Sequence, residues 1–176
     1  MKLKEPIRLR QAGMVLLISL VLLLLLSLIG LSSMQGAVTQ QKVTASLWHR
    51  NQSLQSAESG LRRGESSVQR SFATLLPCRS IVTCAPPAAA YSVVGAGLDP
   101  VSGITWTALD GGLYGIQSLG PAVGLAHVPP QTVADVYRVT AVGLSGQLRT
   151  VLESVYVRVE EEGGSRFQRV AWRQLQ

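Results

Sequence analysis

Apolar residues run without a charge from Met14 to Leu31, interrupted only by Ser19, Ser27 and Gly30, and no ionisable side chain stands between Arg10 and Lys42. A helix rises about 1.5 Å per residue and a hydrocarbon core is about 30 Å thick, so the pattern predicts a membrane-crossing helix over residues 14–35. Each Leu, Ile or Val there favours insertion by about 0.3–0.6 kcal/mol, with no buried charge to oppose it. Farther on, the apolar positions thin to a stripe. Leu47, Leu54, Leu61 and Val68 recur every seven residues, with Ala57, Phe72 and Leu75 at i+3 and i+4 positions, while Arg50, Gln52, Glu58, Arg62, Arg63, Glu65 and Arg70 fall opposite. This predicts that the helix continues as an amphipathic half over residues 36–76, with Leu47, Leu54, Leu61, Val68 and Phe72 packing on a sheet and Pro77 ending it.

Beyond Pro77 the period changes. Residues 77–130 read as a connector and variable region rich in Pro, Gly and Ser, holding short strand candidates at Tyr91–Val94, Ile104–Thr107 and Leu113–Ile116. Residues 131–176 read as an antiparallel meander: Val136–Val142 and Leu148–Val159 are rich in Val, Thr and Tyr and are joined through Gly143-Leu144-Ser145-Gly146. Phe167–Trp172 follows the acidic turn Glu160-Glu161-Glu162-Gly163-Gly164. The expected fold is α+β: a long N-terminal helix packed on a C-terminal antiparallel sheet. Gly60 and Gly64 spell G-x-x-x-G among charged residues, where a membrane-dimer role fails, so they read as softening the helix.

Charge orients the helix. Lys2, Lys4, Arg8 and Arg10 against Glu5 give residues 1–13 a net +3, which holds that arm in the cytoplasm and sends the C-terminal part across the membrane. The formal charge of +6 comes from 16 basic and 10 acidic residues; without the arm, 12 basic face 9 acidic, so the high pI does not by itself imply a nucleic-acid surface. Cys78 and Cys84 lie in the exported part, where an oxidising compartment permits a loop-closing disulfide. Zinc, the alternative, would need paired ligand spacing that His49 and His127 do not supply.

An ordinary secretory signal has its small-residue cleavage site after the apolar run. Here Gly13 precedes it, in Gln11-Ala12-Gly13-Met14-Val15-Leu16-Leu17-Ile18. A cut near Gly36, or an uncut anchor bearing a ligand-binding module, are the plainer readings. The basic arm ending in Gly before a long apolar helix resembles the type III leader of type IV pilins. That resemblance implies a prepilin peptidase that cuts between Gly13 and Met14, and N-methylation of Met14. Gly13 to Met34 and Asn51 to Glu65, with Gln55-Ser56-Ala57-Glu58, further resemble the PilX minor pilins, and Arg169-Val170-Ala171-Trp172-Arg173-Gln174-Leu175 resembles a C-terminal strand of that family.

One departure carries information. Most pilins have a glutamate as fifth residue of the mature chain, where this chain has Ile18. The resemblance implies that this carboxylate neutralises the N-terminal ammonium of a neighbouring subunit; a subunit lacking it fits best where no subunit precedes it, at the tip, as in the tip pseudopilin of type II secretion. The expected role is therefore assembly: a non-enzymatic minor pilin, held in the inner membrane with its C-terminal domain in the periplasm, that helps initiate a pilus within a tip-located priming complex. Implied partners are other minor pilins, the major pilin, a large tip adhesin and the prepilin peptidase. A minor pseudopilin of a type II secretion system is the alternative.

Catalytic signatures are absent from the sequence. Gly95-Ala96-Gly97-Leu98-Asp99-Pro100 lacks the third glycine of a dinucleotide loop, and neither histidine is spaced with a nucleophile, so no cofactor or metal is expected. Trp106 and Trp172 read as core or sheet-face residues. Arg166, Arg169 and Arg173 alternate with Phe167 and Trp172, a pattern that fits DNA but equally an amphipathic strand, and nucleic acid is not expected as a partner.

Overall fold

The computed structural model describes residues 12–175. The basic arm with Glu5 lies outside the described residues. Helix α1 spans Ala12–Ser71 and gives way to a 3₁₀ turn at Phe72–Thr74. The chain divides into two units, one ending at Ser46 and the other beginning at Leu47.

In the first unit, α1 carries the apolar run, and its leucines, isoleucines and valines from Met14 to Leu31 are exposed. The polar interruptions turn inward on the helix itself. Ser19 Oγ donates to the Leu16 carbonyl and Ser27 Oγ to the Leu23 carbonyl, both at 2.8 Å. The hydroxyls are thus satisfied without solvent, as a hydrocarbon environment requires.

In the second unit, six antiparallel strands follow one another in sequence order: β1 Gly97–Leu98, β2 Thr105–Leu109, β3 Gly112–Ala122, β4 Ala134–Ser145, β5 Leu148–Glu161 and β6 Gly164–Gln174. The sheet is thus a meander, with Tyr114 opposite Ala141 and Ala141 opposite Leu152. Side chains alternate between faces along each strand. One face collects Tyr137, Val139, Ala141, Leu152 and Tyr156 around Ala57, Leu61 and Val68 of α1. The other buries Val142 and Val151 with Ile104, Trp106, Leu113 and Ala90, and Val136 and Val157 with Val128. Each Val, Leu or Ile side chain among them contributes about 1.5–3 kcal/mol when fully removed from water.

The structure corrects several expectations. Tyr91–Val94 is not a strand: Ala88–Tyr91 form a 3₁₀ turn that buries Ala90, and the amides of Ser92 and Val93 return to the Ala89 carbonyl. The helix stops before Pro77, because Leu75 turns extended and Pro77 bridges to Ser118 of β3. β4 runs through Gly143 to Ser145, leaving Gly146 and Gln147 as the hairpin turn, with Gly146 at φ 58°. The sheet also reaches back into residues 77–130, where β3 is as long as β6.

Gly60 and Gly64 of α1 are close-contact positions and not softening points. A Cβ on Gly60 would come within 2.9 Å of Ala141 Cβ, and one on Gly64 within 2.3 Å of Val139 Cγ1. Gly143 of β4 meets the helix in turn: its Cβ would stand 1.8 Å from the Ser53 carbonyl oxygen. Small residues on both partners therefore let backbone approach backbone. The phase of the buried face follows them, through Ser53, Ala57, Gly60, Leu61, Gly64 and Val68.

Candidate assembly interface

Gly13 and Met14 fall at the start of the described helix. Ile18, four residues on from Met14, lies on the same side of the helix and is 54% exposed. Its side chain is wholly hydrocarbon. Among the described residues, every side chain on this part of α1 as far as Lys42 is uncharged. A contiguous exposed apolar surface of this extent is a surface for lipid or for other apolar helices.

The stripe splits by position. Leu61 and Val68 are buried against the sheet, and Leu54 and Phe72 pack at the edge of the same cluster. Leu47 does not join them. It is 52% exposed, because contact with the sheet begins at His49, whose Nδ1 lies 2.8 Å from Ser145 Oγ at the hairpin end of β4. Gln52 Oε1 accepts from the same hydroxyl at 2.7 Å, and Ser53 Oγ pairs with Thr150 Oγ1 at 2.8 Å. His49 is therefore used in packing the helix on the sheet.

Cys78 and Cys84 are joined by a disulfide, closing a loop that contains the short helix α2, Ile81–Cys84. A capping box starts that helix: Ser80 Oγ accepts from the Thr83 amide, and Thr83 Oγ1 accepts from the Ser80 amide. The loop sits on the sheet face opposite α1. Gln117 Nε2 donates to the carbonyls of Thr83 and Ala85, and an Arg138 terminal nitrogen donates to the Cys84 carbonyl at 2.7 Å.

Charge on the sheet is paired across strands. Glu153, only 2% exposed, accepts from Arg173 Nε at 2.9 Å and lies 3.3 Å from Arg138 Nε. Burial pushes the Arg138 guanidinium below its ordinary pKa, with Glu153 acting in the other direction. Arg169 makes a two-pronged contact with Glu65 of α1 at 2.7 and 2.8 Å, which raises its pKa. Arg166 faces Glu161 at 3.5 Å. All three arginines of β6 thus have carboxylate partners, and the alternation is that of an amphipathic strand tied to its neighbours, which weakens its use as a phosphate-binding row.

Trp106 is buried in the core and Trp172 stands half exposed on β6. His127 adopts φ 61° in the loop before β4, where its carbonyl accepts from Gln168. Among the described residues no group of three or more His, Cys, Asp or Glu is placed to hold a metal ion. Sequence reasoning missed the small-residue seam and the Gln117, Arg138 and Glu153 cluster. The Gly60/Gly64 spacing carried a signal for the first; the second joins residues whose proximity depends on strand register.

A long helix, exposed and apolar in its first part and packed on an antiparallel sheet in its second, defines a pilin-like α+β protein whose helix is long and apolar enough to cross a membrane. Residues 12–62 match the family model described as PilX N-terminal. Over that stretch, less than a third of its length, the chain is similar to the PilX-type pilins. The matched stretch ends inside α1, so the sheet and the disulfide loop lie beyond it. No curated protein matches the chain. No solved structure matches it.

Proposed function

We propose that this protein is a minor pilin that takes part in initiating type IV pili, within a priming complex at the fibre tip. PilX-type pilins are structural subunits, and the apolar first part of α1 suits membrane anchoring as in pilins. In this reading a prepilin peptidase cuts between Gly13 and Met14 and Met14 is N-methylated. The freed helix then leaves the inner membrane and bundles with those of sibling minor pilins, the major pilin and a tip adhesin.

The observation that carries the tip placement is Ile18. A subunit added beneath another brings a carboxylate to a buried ammonium; leaving that charge unpaired in lipid or in a fibre core would cost several kcal/mol, on the order of the penalty for breaking a buried pair. Ile18 has no carboxylate, so this subunit fits above the others and not among them. Restoring the acid tests this: Ile18→Glu should move the subunit from the tip into the shaft, seen by labelling sheared pili, whereas unchanged incorporation and location would count against tip placement.

A minor pseudopilin of a type II secretion system shares this architecture. The two separate in a deletion strain. The pilus reading expects loss of pili and twitching with secretion intact; the reverse phenotype would assign the chain to the secretion system.

A further inference from the structure

The Cys78–Cys84 loop is exposed on its outer side, with Ile81 at 92% exposure, and is gripped from beneath. The grip comes from two residues directly opposite each other on β3 and β4, Gln117 and Arg138. Gln117, itself buried, donates through Nε2 to Thr83 O at 2.7 Å and Ala85 O at 3.0 Å. Arg138 donates to Cys84 O at 2.7 Å and to Gln117 Oε1 at 3.2 Å, so the two holding side chains also hold each other. Three consecutive carbonyls, two in the loop and that of Ala85 just after it, are thereby bound by side chains of the sheet.

A buried guanidinium serves this purpose only with a counter-charge nearby. Glu153 supplies it from β5, diagonally across from Arg138, and Arg173 of β6 fixes the Glu153 carboxylate in place. Four strands therefore contribute to the hold. The covalent link adds a constraint of a different kind, since it shortens the free chain and ties Cys84 to Cys78, whose amide donates to the Ser118 carbonyl of β3 at 2.8 Å.

We propose that the loop is fastened twice, once by the disulfide and once by this buried polar latch, so that it stays docked with its thiols unjoined and opens only when both fastenings are removed. The latch then brings Cys78 and Cys84 into register before they are joined, and Ile81 and Val82 are presented in one conformation whatever the redox state of the cysteines.

Arg79 offers the readout: it is exposed, but a protease needs an extended stretch of chain around the bond it cuts, so tryptic cleavage after Arg79 is expected to report opening of the loop. Initial cleavage at this bond is followed by mass spectrometry on the full chain in detergent micelles. The samples are the wild type, Cys78→Ser/Cys84→Ser, Gln117→Leu/Arg138→Met, and all four substitutions together. Either pair alone should change the rate by less than about threefold, and the combination should raise it by about 30-fold or more, the product of three hydrogen bonds each contributing a few-fold. Cleavage of the cysteine-free protein at the rate of the fully substituted one would overturn the proposal, as would a fully substituted protein no faster than wild type. If the near-UV spectrum shows that Arg138→Met unfolds the domain, Gln117→Leu in the cysteine-free background replaces it. A rise there of about fivefold supports the latch, and no rise refutes it.

Discussion

Gly143 and Gly64 set the spacing between helix and sheet. An alanine at Gly64 gains about 1 kcal/mol of helix propensity but must displace a buried, β-branched Val139 side chain from 2.3 Å, and overpacking of that kind costs about 1–3 kcal/mol. Gly64→Ala is therefore expected to be destabilising by about 1 kcal/mol. Gly143→Ala is expected to cost more, about 3 kcal/mol, because its new carbon meets the Ser53 backbone, which has no rotamer to yield. Thermal unfolding followed in the near-UV checks the order; equal stability of Gly143→Ala and wild type would remove the close-contact account.

Buried phenols give a pH signature at the same scale. Burial raises the pKa of Tyr137, and it raises that of Tyr156 even though Gln69 hydrogen-bonds to the Tyr156 hydroxyl. Both rings stay neutral in the folded state at a pH where the unfolded chain, with phenols ionising near about pH 10, has begun to lose those protons. Below that pH the two states bind the same protons; as pH rises through the unfolded value, ionisation favours the unfolded chain and stability falls. An absorbance titration should show the Tyr137 and Tyr156 phenols ionising late, together with a midpoint of unfolding that drops above about pH 10. Tyr137 and Tyr156 titrating at the ordinary phenol value would contradict their burial.

Among the elements, those with a strong period were legible and those set by neighbours were not. The apolar run and the seven-residue leucine spacing announce α1, and Val-rich alternation announces β4 and β5, because each pattern is local. Leu47 fits the spacing yet stays outside the contact, since a hydrophobic stripe does not say where its partner sheet ends. Pro77 marks a limit that the helix never reaches; the chain leaves the helix earlier to lay Pro77 beside Ser118. Tyr91–Val94 carries the aromatic and β-branched signal of a strand, yet the burial of Ala90 draws Ala88–Tyr91 into a 3₁₀ turn. The latch under the disulfide loop was illegible for a different reason: Gln117, Arg138 and Glu153 look like surface residues until the register of three strands places them on one face.

For the whole molecule, the two units divide the work. The second is a folded domain with a core on both sheet faces, its cross-strand charges paired and its loop clipped. The first is an exposed apolar helix, and in the proposed reading lipid surrounds it before assembly and sibling helices after it. In the proposed reading, passage from one to the other follows release from the basic arm of residues 1–13, whose charge favours the cytoplasmic side. Intact mass and N-terminal fragment spectra of the protein purified from its native host address this directly. The account predicts a chain that begins at Met14 with an N-methyl group; a chain that retains Met1, or one that starts downstream of Leu31, would contradict it.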